Sequence, residues 1–145
     1  MNHDSYDDSY LRDILKNVRT IAVLGASPNS ARPSYEVMHF LAAHGYRVFP
    51  VNPGQAGKEV GELVFYASLT DVPEPIDMVD VFRAPENLPG ILEDVLSLKH
   101  RPSVLWGQLG VRDDEVAGKA EAAGIKVVMD RCPKIEYPRL LPETA

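Results

Sequence analysis

A single cysteine, Cys132, stands in 145 residues, so no disulfide forms within the chain and stability rests on the core. That usage suits a reducing compartment, and a cytoplasmic location is the expectation. No apolar run approaches the ~20 residues that span a bilayer, so no membrane partner is expected. The opening Met1-Asn2-His3-Asp4-Ser5-Tyr6-Asp7-Asp8 is acidic and lacks the basic-then-apolar order of a targeting peptide. Positive charge is also scarce. Fifteen Lys and Arg against 21 Asp and Glu leave a net charge of −6, which argues against nucleic acid as a partner. An anionic ligand must therefore meet cations placed locally. His3, His39, His44 and His100 offer no metal-ligand spacing and no base for a catalytic triad.

What is present is an ordinary globular composition, 45% hydrophobic and 25% charged. Residues 1–10 read as a polar, mobile lead-in and residues 11–145 as one domain. Leu11, Ile14, Leu15 and Val18 recur at helical spacing. Ile21 to Leu24 are all apolar, as in a strand covered on both faces. Val37, Met38, Leu41 and Ala42 mark a helix that Gly45 ends, and Tyr46 to Val51 a second strand that stops pairing at Pro50. Leu63 to Tyr66 is a short edge strand at best, and Ser68 to Asp71 a single helical turn. Ile76 to Phe82 is again a strand, Pro85 opens a helix carrying Leu88, Ile91, Leu92, Val95 and Leu96, and Ser103 to Trp106 is a strand. Asp113 or Asp114 starts a helix that Gly124 ends, and Ile125 to Met129 is the last strand. Two joints, Ala42 to Val48 and Ala122 to Val127, both run helix, glycine cap, strand. The alternation predicts an α/β fold of the doubly wound class, a mostly parallel sheet with helices on both faces.

In such sheets ligands sit outside the carboxyl ends of the strands, at the switch point. Five segments should meet there. In the first, Gly25-Ala26-Ser27-Pro28 leads to Arg32-Pro33-Ser34, a glycine turn feeding a helix mouth. Pro33 suits the first helical position, Ser30 or Ser34 suits the cap, and the free N–H groups and helix dipole make a seat for phosphate. The loop lacks the second and third glycines of the dinucleotide fingerprint, and it lacks the Gly-Lys-Ser/Thr of a P-loop. Asn52-Pro53 ends the second strand without the carboxylate that holds a nicotinamide ribose. Phe82-Arg83-Ala84-Pro85 supplies an apolar ring and a cation. Gly107-Gln108 follows Trp106, itself a core residue. Cys132 follows the last strand, and a lone cysteine is more often a small buried hydrophobe than a nucleophile. Asp77 and Asp80 alternate with apolar residues and read as structural carboxylates.

Taken in order, Val23 to Ser27, Val51-Asn52-Pro53, Asp80 to Pro85, Trp106 to Gly110 and Met129 to Pro133 resemble the small bacterial and archaeal coenzyme A-binding domain proteins. More remotely, the chain is similar to the N-terminal domain of the succinyl-CoA synthetase alpha subunit. The resemblance runs from about Leu11 to Leu140. It implies a Rossmann-like domain that binds coenzyme A, or an acyl-CoA, by its nucleotide end. Gly25, Ala26, Ser27 and Arg32 then match the phosphate loop, and Asn52 and Pro53 the turn along the adenosine. Phe82, Arg83, Ala84 and Pro85 match the loop over it, and Gly107 and Gln108 the segment beside the pantetheine arm. The synthetase carries a lysine directly after its Pro-Gly turn, whereas here Gln55 follows Gly54, with Lys58 the substitute. The synthetase's phosphorylated histidine lies in a second domain outside these 145 residues, so no catalytic step carries over. Two alternatives stay open: an NAD(P)-binding oxidoreductase or redox-sensing domain, and a thiol-handling protein in which Cys132 forms a mixed disulfide with coenzyme A. A homo-oligomer or an unidentified protein partner also fits.

Overall fold

Apolar β-branched runs separated by helical patterns do build one parallel sheet. The computed structural model describes residues 1–141. In chain order the elements are α1 (Asp8–Asn17), β1 (Thr20–Leu24), α2 (Pro33–Ala43), β2 (Arg47–Val51), β3 (Glu59–Val60), β4 (Leu63–Val64), β5 (Met78–Val81), α3 (Leu88–Ser97), β6 (Val104–Gly107), α4 (Asp114–Ala122), β7 (Lys126–Val128) and α5 (Pro133–Leu140). Short 3-10 turns cover Pro53–Gln55, Leu69–Asp71 and Pro85–Asn87. Five strands form the sheet in the order β2-β1-β5-β6-β7, all parallel, while β3 and β4 make a separate antiparallel hairpin.

Each strand buries both sides, because alternate residues enter different helical layers. Ile21, Val23, Met78, Val104, Trp106 and Val128 pack against α1, α2 and α5. Ala22, Val79, Val81, Leu105, Val127 and Met129 pack against α3 and α4. The chain turns back across β1 to reach β5, so the switch point lies between those two strands. Gly45 (φ +91°) and Gly124 (φ +85°) end α2 and α4 in the left-handed conformation the sequence predicts.

Four expectations change. The lead-in is tied to the domain: His3 is only 3% exposed, and its ring nitrogens meet the Tyr6 hydroxyl at 2.5 Å and the Glu121 carboxylate at 3.0 Å. Tyr10 donates to the Val127 carbonyl at 2.8 Å and accepts from the Val127 N–H at 3.0 Å, and Tyr6 accepts from Met129 N–H at 2.7 Å. These hydroxyls occupy the outer backbone of β7, where an open sheet edge would otherwise invite pairing. Pairing does not stop at Pro50, which aligns with Val23, and Val51 continues opposite Leu24. On its outer side β2 is bridged by Tyr66, whose N–H donates to the Pro50 carbonyl at 2.9 Å; Leu63-Val64 pairs with β3 instead. The fourth change is α5, a helix that no sequence pattern marked.

Candidate ligand site at the switch point

Three of the five strand-end segments meet at the switch point. Gly25 holds φ +86°, a conformation that favours glycine, and a Cβ there would sit 3.0 Å from the Phe82 carbonyl oxygen and 3.2 Å from Arg83 Nε. Gly25 and Ala26 donate their N–H groups to the Val51 carbonyl at 2.9 and 3.3 Å, and Phe82 donates to the Leu24 carbonyl at 2.8 Å. Asn52 ties the second segment in: its Nδ2 donates to the Ala26 carbonyl at 2.9 Å while its Oδ1 accepts from Gly54 N–H at 3.1 Å. The Gly25 turn, Asn52-Pro53 and Phe82-Arg83 are therefore one unit.

Between Ser27 and Ser34 the chain uses its short side chains on itself. Ser34 Oγ accepts from Ser27 N–H at 3.0 Å, Ser27 Oγ from Asn29 N–H at 3.0 Å, and Asn29 Oδ1 from Ala31 N–H at 2.9 Å. Pro33 takes the first helical position, as expected, but the cap position belongs to Arg32 and no side chain caps α2. Neither Ser30 nor Ser34 serves there, because Ser34 is buried inside the turn supporting the loop. Pro33 has no N–H and Tyr35 N–H bonds to the Arg32 carbonyl at 3.1 Å, so the mouth of α2 keeps the Ser34 N–H and the positive end of its dipole uncapped.

The cations beside this mouth are also uncommitted. Among the described residues the guanidinium groups of Arg32 and Arg83 have no hydrogen-bond or ion-pair partner, and neither has that of Arg19 at the amino end of β1, whereas Arg47, Arg112, Arg131 and Arg139 are all engaged. Arg83 also borders a cleft of about 450 Å3 on the α3 side, whose other walls include Leu24, Val51, Pro53, Leu69 and Ile91. Phe82 turns to the opposite layer and packs against its core. Ala84 and Pro85 lead from Arg83 into the 3-10 turn before α3.

The other two segments form a second unit, knitted by backbone bonds. Gln108 donates its N–H to Val81, Arg131 to Gly107 and Asp130 to Val111, at 3.2, 3.1 and 3.1 Å. Gly107 is required there, since a Cβ would collide with the Val111 carbonyl. Asp130 holds φ 57° and accepts from Gly110 N–H at 2.7 Å. Arg131 lies 5.0 Å over the Tyr6 ring and donates to the Asp4 carbonyl at 3.2 Å; Arg112 pairs with Asp4 at 2.9 Å and with Asp114 at 2.8 Å. Cys132 is 6% exposed, in the core layer with Trp106 and Val128. Trp106 Nε1 donates to the Arg131 carbonyl at 2.9 Å.

Asp77 fits the structural reading, its carboxylate accepting from Arg19 and Thr20 N–H at 2.8 and 3.1 Å. Asp80 does not. It is completely buried in β5, neither carboxyl oxygen has a partner among the described residues, and burial pushes its pKa well above the usual carboxylate range. The signal was visible, a lone acid inside Met78-Val79-Asp80-Val81, but alternation alone does not tell a partnered acid from an orphan.

This assembly can hold an anion beside a partly apolar cleft. Among the described residues no group of three His, Cys, Asp or Glu side chains could hold a metal ion. Among them, too, no helix is long and apolar enough to cross a membrane. Residues 19–138 match the family described as CoA binding domain. Over 127 residues the chain is 34% identical to protein YneT of Bacillus subtilis (strain 168), covering 88% of this chain and 91% of that one. The solved structure of cell-free ID.343 from Thermus thermophilus superposes with a TM-score of 0.86 at 43% identity, over 94% of this chain and all of that one. An ADP-forming acetate–CoA ligase of Archaeoglobus fulgidus is 28% identical over 86 residues, 58% of this chain but only 12% of the ligase. With the match spanning nearly all of the sheet and every segment of its carboxyl edge, the chain belongs to the CoA binding domain family.

Proposed function

We propose that the chain binds coenzyme A, or an acyl-CoA, by its nucleotide end at the switch point, and performs no catalytic step there. The observation that carries the location is the pair of unpartnered guanidiniums, Arg32 and Arg83, flanking the Gly25 turn and the uncapped mouth of α2. In a chain of net charge −6, two free cations beside a glycine turn at the carboxyl edge are where an anion of several charges is stabilised. Phosphates rest at Arg32, the Ser27 hydroxyl and the Ser34 N–H at the positive end of α2. The adenosine enters the cleft between Pro53 and Arg83, against Leu69 and Ile91. That arrangement agrees with family membership and with the CoA ligase among the relatives.

Two competing readings gain nothing from the geometry. A nicotinamide dinucleotide would find Asn52 spent on Ala26 and Gly54 and no carboxylate for its ribose. Exchange with a disulfide needs a sulfur that the partner can reach, and Cys132 is buried in the apolar core. Calorimetric titration with coenzyme A, NAD and NADP tests the proposal. Saturable binding of coenzyme A alone is expected; tight NAD binding without coenzyme A binding sinks it.

A further inference from the structure

The opposite edge of the sheet carries a cleft of its own, of about 630 Å3, at the amino end of β1. Arg19 and Gly25 are six residues apart, roughly 20 Å of extended chain, so the two clefts are separate places. The floor is apolar, made by the buried side chains of Leu15, Val18 and Leu140. Tyr46 and Tyr137 wall it, with ring centroids 6.1 Å apart and planes at 81°. Lys16 and Arg19 complete the lining with two cations. Three helices, α1, α2 and α5, end here, and their last carbonyls are the ordinary use for such cations. Other donors already serve them. Val18 N–H and the Tyr46 hydroxyl take the Ile14 and Leu15 carbonyls of α1, the first at 3.0 Å. His44, Tyr46 and Gly45 N–H take those of Phe40, Leu41 and Ala42 in α2 at 3.1, 3.2 and 3.3 Å. Leu141 N–H and Arg12 take those of Tyr137 and Leu140 in α5 at 2.8 and 3.2 Å. The Lys16 ammonium and the Arg19 guanidinium have no partner among the described residues.

We propose that this cleft is a second ligand site, which takes a small organic anion with a flat apolar body, of the aryl carboxylate or aryl phosphate class. Its volume is that of a small-molecule site, and two rings set nearly at right angles offer a third ring both a face and an edge. The acid group meets the ammonium and the guanidinium, in a protein whose net charge of −6 repels anions elsewhere. A cationic ligand would face two like charges here. A neutral apolar one would gain nothing from them. The inference does not rest on the coenzyme A reading, because no residue is common to the two sites.

Amide NMR spectra of the full chain, titrated with benzoate, phenyl phosphate and neutral benzamide, test this. Both anions should give saturable shifts centred on the Arg19, Gly45 and Tyr46 amides, and benzamide should bind about fivefold more weakly. The tighter of the two anions identifies the acid group that the cleft prefers. Saturating coenzyme A should leave these shifts unchanged. Arg19→Gln and Lys16→Gln, both exposed and outside the core, should each weaken the anions about three- to fivefold. Lys126→Gln, which removes an exposed charge from the same edge of the sheet, should not. Equal binding of benzamide, or equal affinities in all three variants, overturns the proposal. Shifts centred on Gly25 and Ala26 that coenzyme A abolishes also overturn it, by assigning the anion to the switch point, and the coenzyme A reading is then untouched. Glu143 follows Leu141 by two residues in the sequence, so Glu143→Gln is titrated as well. Binding in that variant alone would mean that the chain's own carboxylate holds the cations, and the proposal falls.

Discussion

The carboxyl edge of the sheet carries two pairs of arginines that end differently. Arg32 and Arg83, around the β1/β5 switch point, have no partners among the described residues. Arg112 and Arg131, past β6 and β7, are tied by Asp4, Asp114 and the Tyr6 ring. Residue type is identical and all four follow strand ends, but Arg112 and Arg131 each have an acid within two residues, Asp114 and Asp130, and Arg32 and Arg83 do not. The N-terminal segment, crossing to β7, adds the Asp4 carboxylate to Arg112 and the Asp4 carbonyl and Tyr6 ring to Arg131, so the far pair is held from both sides. One half of the edge has arginines without partners, and in the other they are engaged in the structure.

The sharpest challenge to that contrast is Arg83→Ala. Charge-assisted contacts of this kind contribute about 1.5–3 kcal/mol, so coenzyme A affinity should fall roughly 10- to 150-fold in calorimetry. Arg131→Ala should leave it nearly unchanged. Equal losses in the two variants would erase the distinction between the halves.

Next comes the backbone under the site. Gly25→Ala forces a Cβ into the left-handed region and against the Phe82 carbonyl, and should cost about 1–3 kcal/mol in urea unfolding. Gly110→Ala is the matched control in the far half, with φ +81° but no atom within 4 Å of the added carbon. Gly25→Ala should be the more damaging of the two. A larger cost at Gly110 would mean that the switch-point contact is not what holds Gly25.

The two halves also differ in the sign of their response to acid. Asp114 is held below the usual carboxylate range by its hydrogen bonds from Arg112, so its contribution is present above the unfolded pKa and fades as pH falls through the lowered value. Asp80 is held above that range by burial. Its unfolded form loses the proton near pH ~3.9, so between there and the raised value stability declines as pH rises. Asp80→Val should remove that decline and stabilise the protein by about 1–3 kcal/mol at neutral pH, by deleting an unmatched buried group. Unfolding free energies measured from pH 4 to 8 check this, and parallel curves for the two proteins would show that Asp80 is solvated or partnered in solution.

Much of this was legible because it is local. Ile21 to Leu24 followed by glycine gives a buried strand and a turn, and helix-glycine-strand joints at Gly45 and Gly124 order the alternation. Proline at position 33 marks the start of α2. The misses all depend on distant partners or unusual composition. α5 carries Pro133 and Pro138, which read as breakers, and its residues show little amphipathic period. Ser34 looks like a cap but is claimed by Ser27 seven residues back. The lead-in is polar by composition, yet Tyr6 and Tyr10 find β7 more than 110 residues away, a pairing no local pattern encodes. At the site, the meeting of Gly25, Asn52 and Arg83 followed from topology, whereas the contacts of Asp4 and Tyr6 with Arg112 and Arg131 required knowing where the N-terminus lies.

The smallest expected effect tests that last point most directly. Asp4→Asn removes the carboxylate from Arg112 while leaving the backbone carbonyl at that position to accept from Arg131. Arg112 keeps Asp114, and Asp4 is largely exposed, so the lost attraction is screened by water and salt. Coenzyme A affinity should therefore change by less than about threefold at physiological ionic strength. A rise of about tenfold, vanishing in high salt, would show that Arg112 joins the anion field once unmasked. The N-terminal segment would then be setting the strength of the ligand site, and the far half would count as a covered extension of the near one.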